Sequence, residues 1–154
     1  MARTILRAML IAAIGVVLGL LHNAVSAHHI PYFAPPKVAP LPADFIPVDE
    51  AGQFWLASAG FFLDARAPAD YTAGHITGAY SLPAEAFDAR YPQVANMLTL
   101  ESRLVVYCDG LKCDLSHDLA IRLRQLGYKN IRILQNGWTE WRAAGFSTST
   151  GNQP

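Results

Sequence analysis

Leu104-Val105-Val106-Tyr107-Cys108-Asp109-Gly110-Leu111-Lys112-Cys113 is the stretch on which the fold turns. Its first four residues are apolar or β-favouring without a break, the pattern of a strand buried on both faces. Six residues with a glycine among them follow, and then Leu115, Leu119, Ala120, Leu123 and Leu126 fall on one helical stripe that Gly127 is placed to end. A strand running through a short loop into a helix is half of a parallel βαβ unit. Working outward, Phe61-Phe62-Leu63 reads as another buried strand, ending at Asp64-Ala65-Arg66, and residues 79–82 as a short one stopped by Pro83. Residues 131–134 form a further strand. Helices are expected over 48–58, with Asp49 and Glu50 at the positive end, over 87–98, with Pro92 placed to break it, and over 138–144, closed by Gly145. Strands alternating with helices imply an α/β domain whose parallel sheet is covered on both faces.

Ligands of open parallel sheets sit beyond the carboxyl ends of the strands, in loops that lead into helices. Cys108 occupies such a place. Unpaired loop amides and the positive end of the following helix both favour thiolate over thiol there. Gly110 gives the loop freedom to form a concave nest for an anion. A buried structural cysteine at a strand end fits the position equally well.

Twelve basic residues balance twelve acidic ones, and no run of like charge marks a nucleic-acid surface. Two cysteines are too few for a disulfide framework or a four-thiolate zinc site, so neither a metal nor another cofactor is expected. Arg3 and Arg7 precede an unbroken apolar run over 8–21, and no charged residue follows until Lys37. This is an export signal or a membrane anchor. Val25-Ser26-Ala27 suits signal peptidase, while the uncharged stretch to Ala27 is long enough to span the hydrocarbon. Either way the basic end stays in the cytoplasm and the rest faces outward, placing the chain in the cell envelope, anchored toward the periplasm or exported. Prolines recur from Pro31 to Pro47, so 28–43 reads as an extended tether between a segment at 1–27 and a domain at 44–148, with 149–154 as a tail.

Several fragments carry a family resemblance in their order and spacing. They are Phe62-Leu63-Asp64-Ala65-Arg66, then Gly74-His75-Ile76-Thr77-Gly78-Ala79 followed by Pro83, then Tyr107-Cys108, then Gly127-Tyr128, and last Asn136-Gly137-Trp138-Thr139-Glu140-Trp141. Together, from about Phe45 to Gly145, they resemble the rhodanese-like (thiosulfate sulfurtransferase) domain, with Asn136 standing where that family has a first glycine. The resemblance implies a central five-stranded parallel sheet flanked by helices on both faces. It also implies a persulfide on a catalytic Cys108, within the substrate-binding loop Asp109, Gly110, Leu111, Lys112 and Cys113.

The implied activity is transfer of sulfane sulfur from a small donor such as thiosulfate to a thiol, cyanide or protein acceptor, by nucleophilic catalysis with the loop amides stabilising the negative sulfur. Lys112 attracts an anionic donor and Asp109 and Asp114 oppose it. Cys113 is either a resolving thiol or a small filler at the helix start; as a resolving thiol it supports a rival function, thiol–disulfide redox chemistry with Cys108. A non-catalytic binding module is a further alternative. A tyrosine-phosphatase-like activity needs Arg six positions after the nucleophile, and this chain has Asp114 there. His75 is expected as a buried, hydrogen-bonded histidine, Asp64 and Arg66 as a structural tie, Gly74 and Gly78 as turn residues, Trp138 and Trp141 as core, and His117 as a solvated helix residue.

Overall fold

The computed structural model describes residues 2–25, 44–110 and 114–154, and the chain separates into two compact units, Met1–Lys37 and Val38–Pro154. The first carries α1 (Ala2–Val25). Within it Arg3–Asn23 has a mean hydropathy of 2.3 and none of it is buried. At about 1.5 Å per residue it reaches about 30 Å, long enough to cross a bilayer by length and composition, a test that a signal sequence also passes. The tether at 28–43 lies outside the described residues.

In the second unit, α2 (Val48–Leu56), β1 (Phe61–Asp64), α3 (Pro68–Ala73), β2 (His75–Ile76), β3 (Tyr80–Ser81) and, after a 3₁₀ turn at Ala84–Ala86, α4 (Phe87–Ala95) lead to β4 (Arg103–Tyr107). Then come α5 (Leu115–Gln125), β5 (Asn130–Leu134), α6 (Gly137–Ala143) and β6 (Thr148–Ser149). The main sheet has the order β3-β1-β4-β5 and every pair is parallel. β4, the apolar run that opened the sequence reading, lies inside the sheet between β1 and β5.

Alternation along the strands sorts the core into two layers. Leu63, Leu104, Val106, Ile131 and Ile133 pack with Phe87 and Val94 of α4 and Leu119 and Leu123 of α5. Phe62, Val105, Tyr107 and Leu134 point the other way, against Ala51 of α2 and the fully buried Trp141 of α6. Both faces are therefore covered, which is why β4 carries no charged side chain in its buried part.

Four details depart from what the sequence predicts. The sheet has four strands among the described residues, not five; a fifth is reduced to one parallel bridge, Phe45 to Ile133, because the chain turns into α2 at Val48, with Pro47 as its N-cap, before a further ladder bond can form. Helix α4 runs through Pro92 without ending there, forgoing one backbone hydrogen bond. Leu126 lies past the end of α5 and is exposed. The small antiparallel pair β2–β6 was not legible: His75 faces Ser149, and Gly151 N–H donates to the Thr72 carbonyl, so part of the segment read as a tail is built into the domain.

Candidate functional site

Cys108 follows directly on β4 and is only 1% exposed. Its sulfur lies 3.3 Å from the hydroxyl of Ser116, itself buried in the first turn of α5. Cys108 is disulfide-bonded in this structure. Leu111, Lys112 and Cys113 lie outside the described residues. The Trp138 amide donates to the Cys108 carbonyl at 3.1 Å, which ties the strand end to the start of α6.

A second set of contacts holds the beginning of the loop. Asp109 Oδ1 accepts from the Thr139 hydroxyl at 2.7 Å and from the Gly110 amide at 3.0 Å. Gly110 has φ +84°, a left-handed conformation that favours glycine, and its amide also meets Asn136 Oδ1 at 3.0 Å. Asn136 is itself left-handed at φ 49°, which asparagine tolerates, and donates through Nδ2 to Glu140. The residue that replaces the family's glycine thus keeps the glycine-like backbone and adds a clamp on the loop. It also engages the Gly110 amide that a nest would have offered to an anion.

Asp64 and Arg66 form a buried tie, as expected. Arg66 donates from Nε and Nη2 to both Asp64 oxygens, and from Nη2 to the Gly74 carbonyl at 2.6 Å. Burial alone would lower the guanidinium's pKa, but the bonds to Asp64 and its charge outweigh that and hold it above the ordinary value. Burial, with Asp64 nearby, pushes the Tyr107 phenol far up, so it stays neutral while it accepts the Ile76 amide.

His75 is fully buried, stacked on Tyr71 at 3.8 Å, with Nδ1 2.9 Å from the Tyr71 carbonyl. That carbonyl can only accept, so the proton sits on Nδ1, and Nε2 has no partner among the described residues. Three expectations need correction. Gly74 has extended backbone, and its constraint is proximity: a Cβ there would meet the Trp138 ring at 2.8 Å. Gly78 does have positive φ. Trp141 is core, but Trp138 is half-buried and lines a cleft. His117 is half-buried and edge-on to Phe45, so it is not the solvated helix residue expected.

The cleft holds about 420 Å³ and is lined by Arg66, Asp70, Asp109, Leu115, Trp138 and Arg142, among others. Arg66 and Arg142 both lie against the Trp138 ring, at 4.7 and 5.6 Å. Of these residues, only Asp109 stood in the loop singled out from sequence. Ser116, Asp70 and Arg142 carry no local signal, because what makes them notable is a neighbour from another element.

A parallel sheet covered on both faces, presenting a cysteine where an inner strand hands over to a helix, defines a thiol-bearing α/β domain. The pattern of the rhodanese-like domain matches residues 51–144, well over half of the chain, and the chain belongs to that family. It is 31% identical over 116 residues to the HTH-type transcriptional regulator Rv0324 of Mycobacterium tuberculosis, covering 75% of this chain and 46% of the regulator. The chain therefore spans about half of that relative. It is 29% identical over 79 residues to the thiosulfate sulfurtransferase GlpE of Tolumonas auensis, covering 51% of this chain and 69% of that protein. Among solved structures, the Alr3790 protein of Anabaena sp. superposes with a TM-score of 0.59 at 24% identity, over 69% of this chain and 92% of the other, a likeness of fold.

Proposed function

We propose that the chain is a sulfurtransferase in which Cys108 carries sulfane sulfur as a persulfide. The observation that carries this reading is the position of Cys108 at the end of an inner strand, with its sulfur 3.3 Å from Ser116 in the first turn of α5. Once reduced, a thiolate there is stabilised by the Ser116 hydroxyl and by the positive end of the helix. It attacks the outer sulfur of thiosulfate; a Cys108 S–S bond forms, the donor's S–S bond breaks, and sulfite leaves with the electron pair. Cyanide or a thiolate then takes the outer sulfur and returns Cys108 to thiolate. The loop from Asp109 through Gly110, Leu111 and Lys112 to Cys113 borders this chemistry.

A second reading has one observation in its favour, the disulfide at Cys108. The chain has two cysteines, so an intrachain bond can use only Cys113, which would then act as a resolving thiol in redox chemistry. Cys108→Ser separates these readings from a binding module. Thiocyanate formation from thiosulfate and cyanide, and a mass gain of one sulfur atom, should both vanish in the variant while its thermal unfolding, compared with the parent in excess reductant, is unchanged. Transfer retained by the variant removes Cys108 from the mechanism.

The same reading places the domain in the cell envelope, anchored or exported through α1 with Arg3 and Arg7 on the cytoplasmic side. A reporter active only in the cytoplasm, fused after Pro154, should stay silent; strong signal reverses the orientation.

A further inference from the structure

We propose that Asn136 sets the donor selectivity of the Cys108 loop, turning it away from small divalent anions such as thiosulfate; this rests on the sulfurtransferase reading. Gly110 lies two positions after the sulfur carrier, and its N–H is one of the donors such a loop would turn toward an anion on Cys108. Here that N–H is already engaged by two oxygens, Asp109 Oδ1 and Asn136 Oδ1, each at 3.0 Å. The first contact joins adjacent residues and travels with the loop. The second ties the amide to the start of α6. A glycine at position 136 has no side chain to accept it, so the restraint belongs to this chain and not to the family's pattern.

The clamp is also held from its far side. Asn136 Nδ2 donates to Glu140 Oε1 at 3.0 Å, and the Glu140 amide donates to the Asn136 carbonyl at 2.9 Å. A carboxylate only accepts and a backbone N–H only donates, so the side-chain amide cannot flip without losing both of its bonds. None of these contacts involves a thiol, and reduction of Cys108 does not by itself release them. Asp109 acts in the same direction. Its Oδ1 also accepts the Thr139 hydroxyl at 2.7 Å, which pins a negative charge one residue from the sulfur. A divalent donor therefore meets a fixed carboxylate and one amide fewer. To recruit the Gly110 N–H it must first displace Asn136, whereas an uncharged reagent depends little on that donor.

The test uses the full chain in detergent micelles, fully reduced. Asn136→Gly removes the acceptor and suits the backbone at φ 49°, so the variant keeps its fold. It should raise kcat/KM for thiosulfate about tenfold, the weight of one hydrogen bond to a charged group. The kcat/KM for cyanide should not rise, because the freed amide stabilises the persulfide that this second step consumes. Glu140→Ala, which lets the Asn136 side chain turn, should move the thiosulfate value the same way by less, and Glu140→Gln, whose Oε1 still accepts, should stay nearer the parent. Alkylation of Cys108, followed by peptide mass, reads the same clamp without sulfur chemistry: the rate with iodoacetate relative to iodoacetamide should rise in Asn136→Gly. A thiosulfate value that stays or falls, an equal rise for cyanide, or an unmoved alkylation ratio overturns the assignment. If neither parent nor Asn136→Gly gains a sulfur atom from thiosulfate, the sulfurtransferase reading fails and this inference with it; loading of both at equal rates fails the inference alone.

Discussion

The hydroxyl of Ser116 stands 3.3 Å from the sulfur of Cys108, across a loop that separates them by eight positions in the chain, and both residues are buried. In the reduced protein the hydroxyl can donate to a thiolate or persulfide, which under the proposed function makes Ser116 a positioning residue. Ser116→Ala should lower kcat/KM for thiosulfate about tenfold, the weight of one hydrogen bond to a charged group. The acidic limb of the pH–rate profile should move to higher pH, and Ser116→Thr should recover much of the loss. A fall in rate with an unmoved profile would mean that Ser116 only fills space.

Cys113→Ser should keep most of the sulfurtransferase activity and abolish any intramolecular disulfide. Ser preserves size, so packing is little disturbed. Wild-type activity should then depend on a reductant and the variant's should not. A loss as deep as that of Cys108→Ser places both thiols in the mechanism and favours the redox reading.

Gly137 is packed too closely for any side chain. A Cβ there would stand 2.7 Å from Tyr107 Cβ and 3.0 Å from Leu134 Cγ, at the seam where β4, β5 and α6 meet. Gly137→Ala should cost about 1–3 kcal/mol in unfolding free energy, despite the better helix propensity of alanine. Denaturant unfolding measures it, and an unchanged midpoint would refute the close approach.

Three tyrosines should make the domain sensitive to alkali. Burial, with Asp64 adding to it, pushes the Tyr71 phenol up to about 12; burial and the bond to Tyr91 push Tyr128 up to about 12; Tyr107 lies higher still. The folded state therefore holds protons that an unfolded chain releases from about pH 10. Their contribution is intact below pH 10 and drains as pH rises to about 12. The urea midpoint should be flat to pH 10 and then fall, with phenolate absorbance from these residues appearing only on unfolding. A midpoint unchanged at pH 12 contradicts this.

The sequence by itself determined the four strands of the main sheet and the major helices of the domain. β4 is an apolar run long enough to be buried on both faces, and the helix stripe that follows has one dry side, so both elements are fixed by local pattern. It also placed Cys108 at the strand-to-loop junction, and the order of the Asp64–Arg66, Gly74–Ala79 and Asn136–Trp141 fragments carried the family. Only the tertiary structure decided which residues surround that cysteine. Ser116 reaches the sulfur because α5 docks on one face of the sheet. Arg66, Asp70, Trp138 and Arg142 form a cleft because two separate helices and the end of β1 converge on it. Gly74 yields to the ring of Trp138, and β2 pairs with β6 more than seventy residues away. Periodicity records which face of an element is dry, and it carries no record of which other element will cover that face.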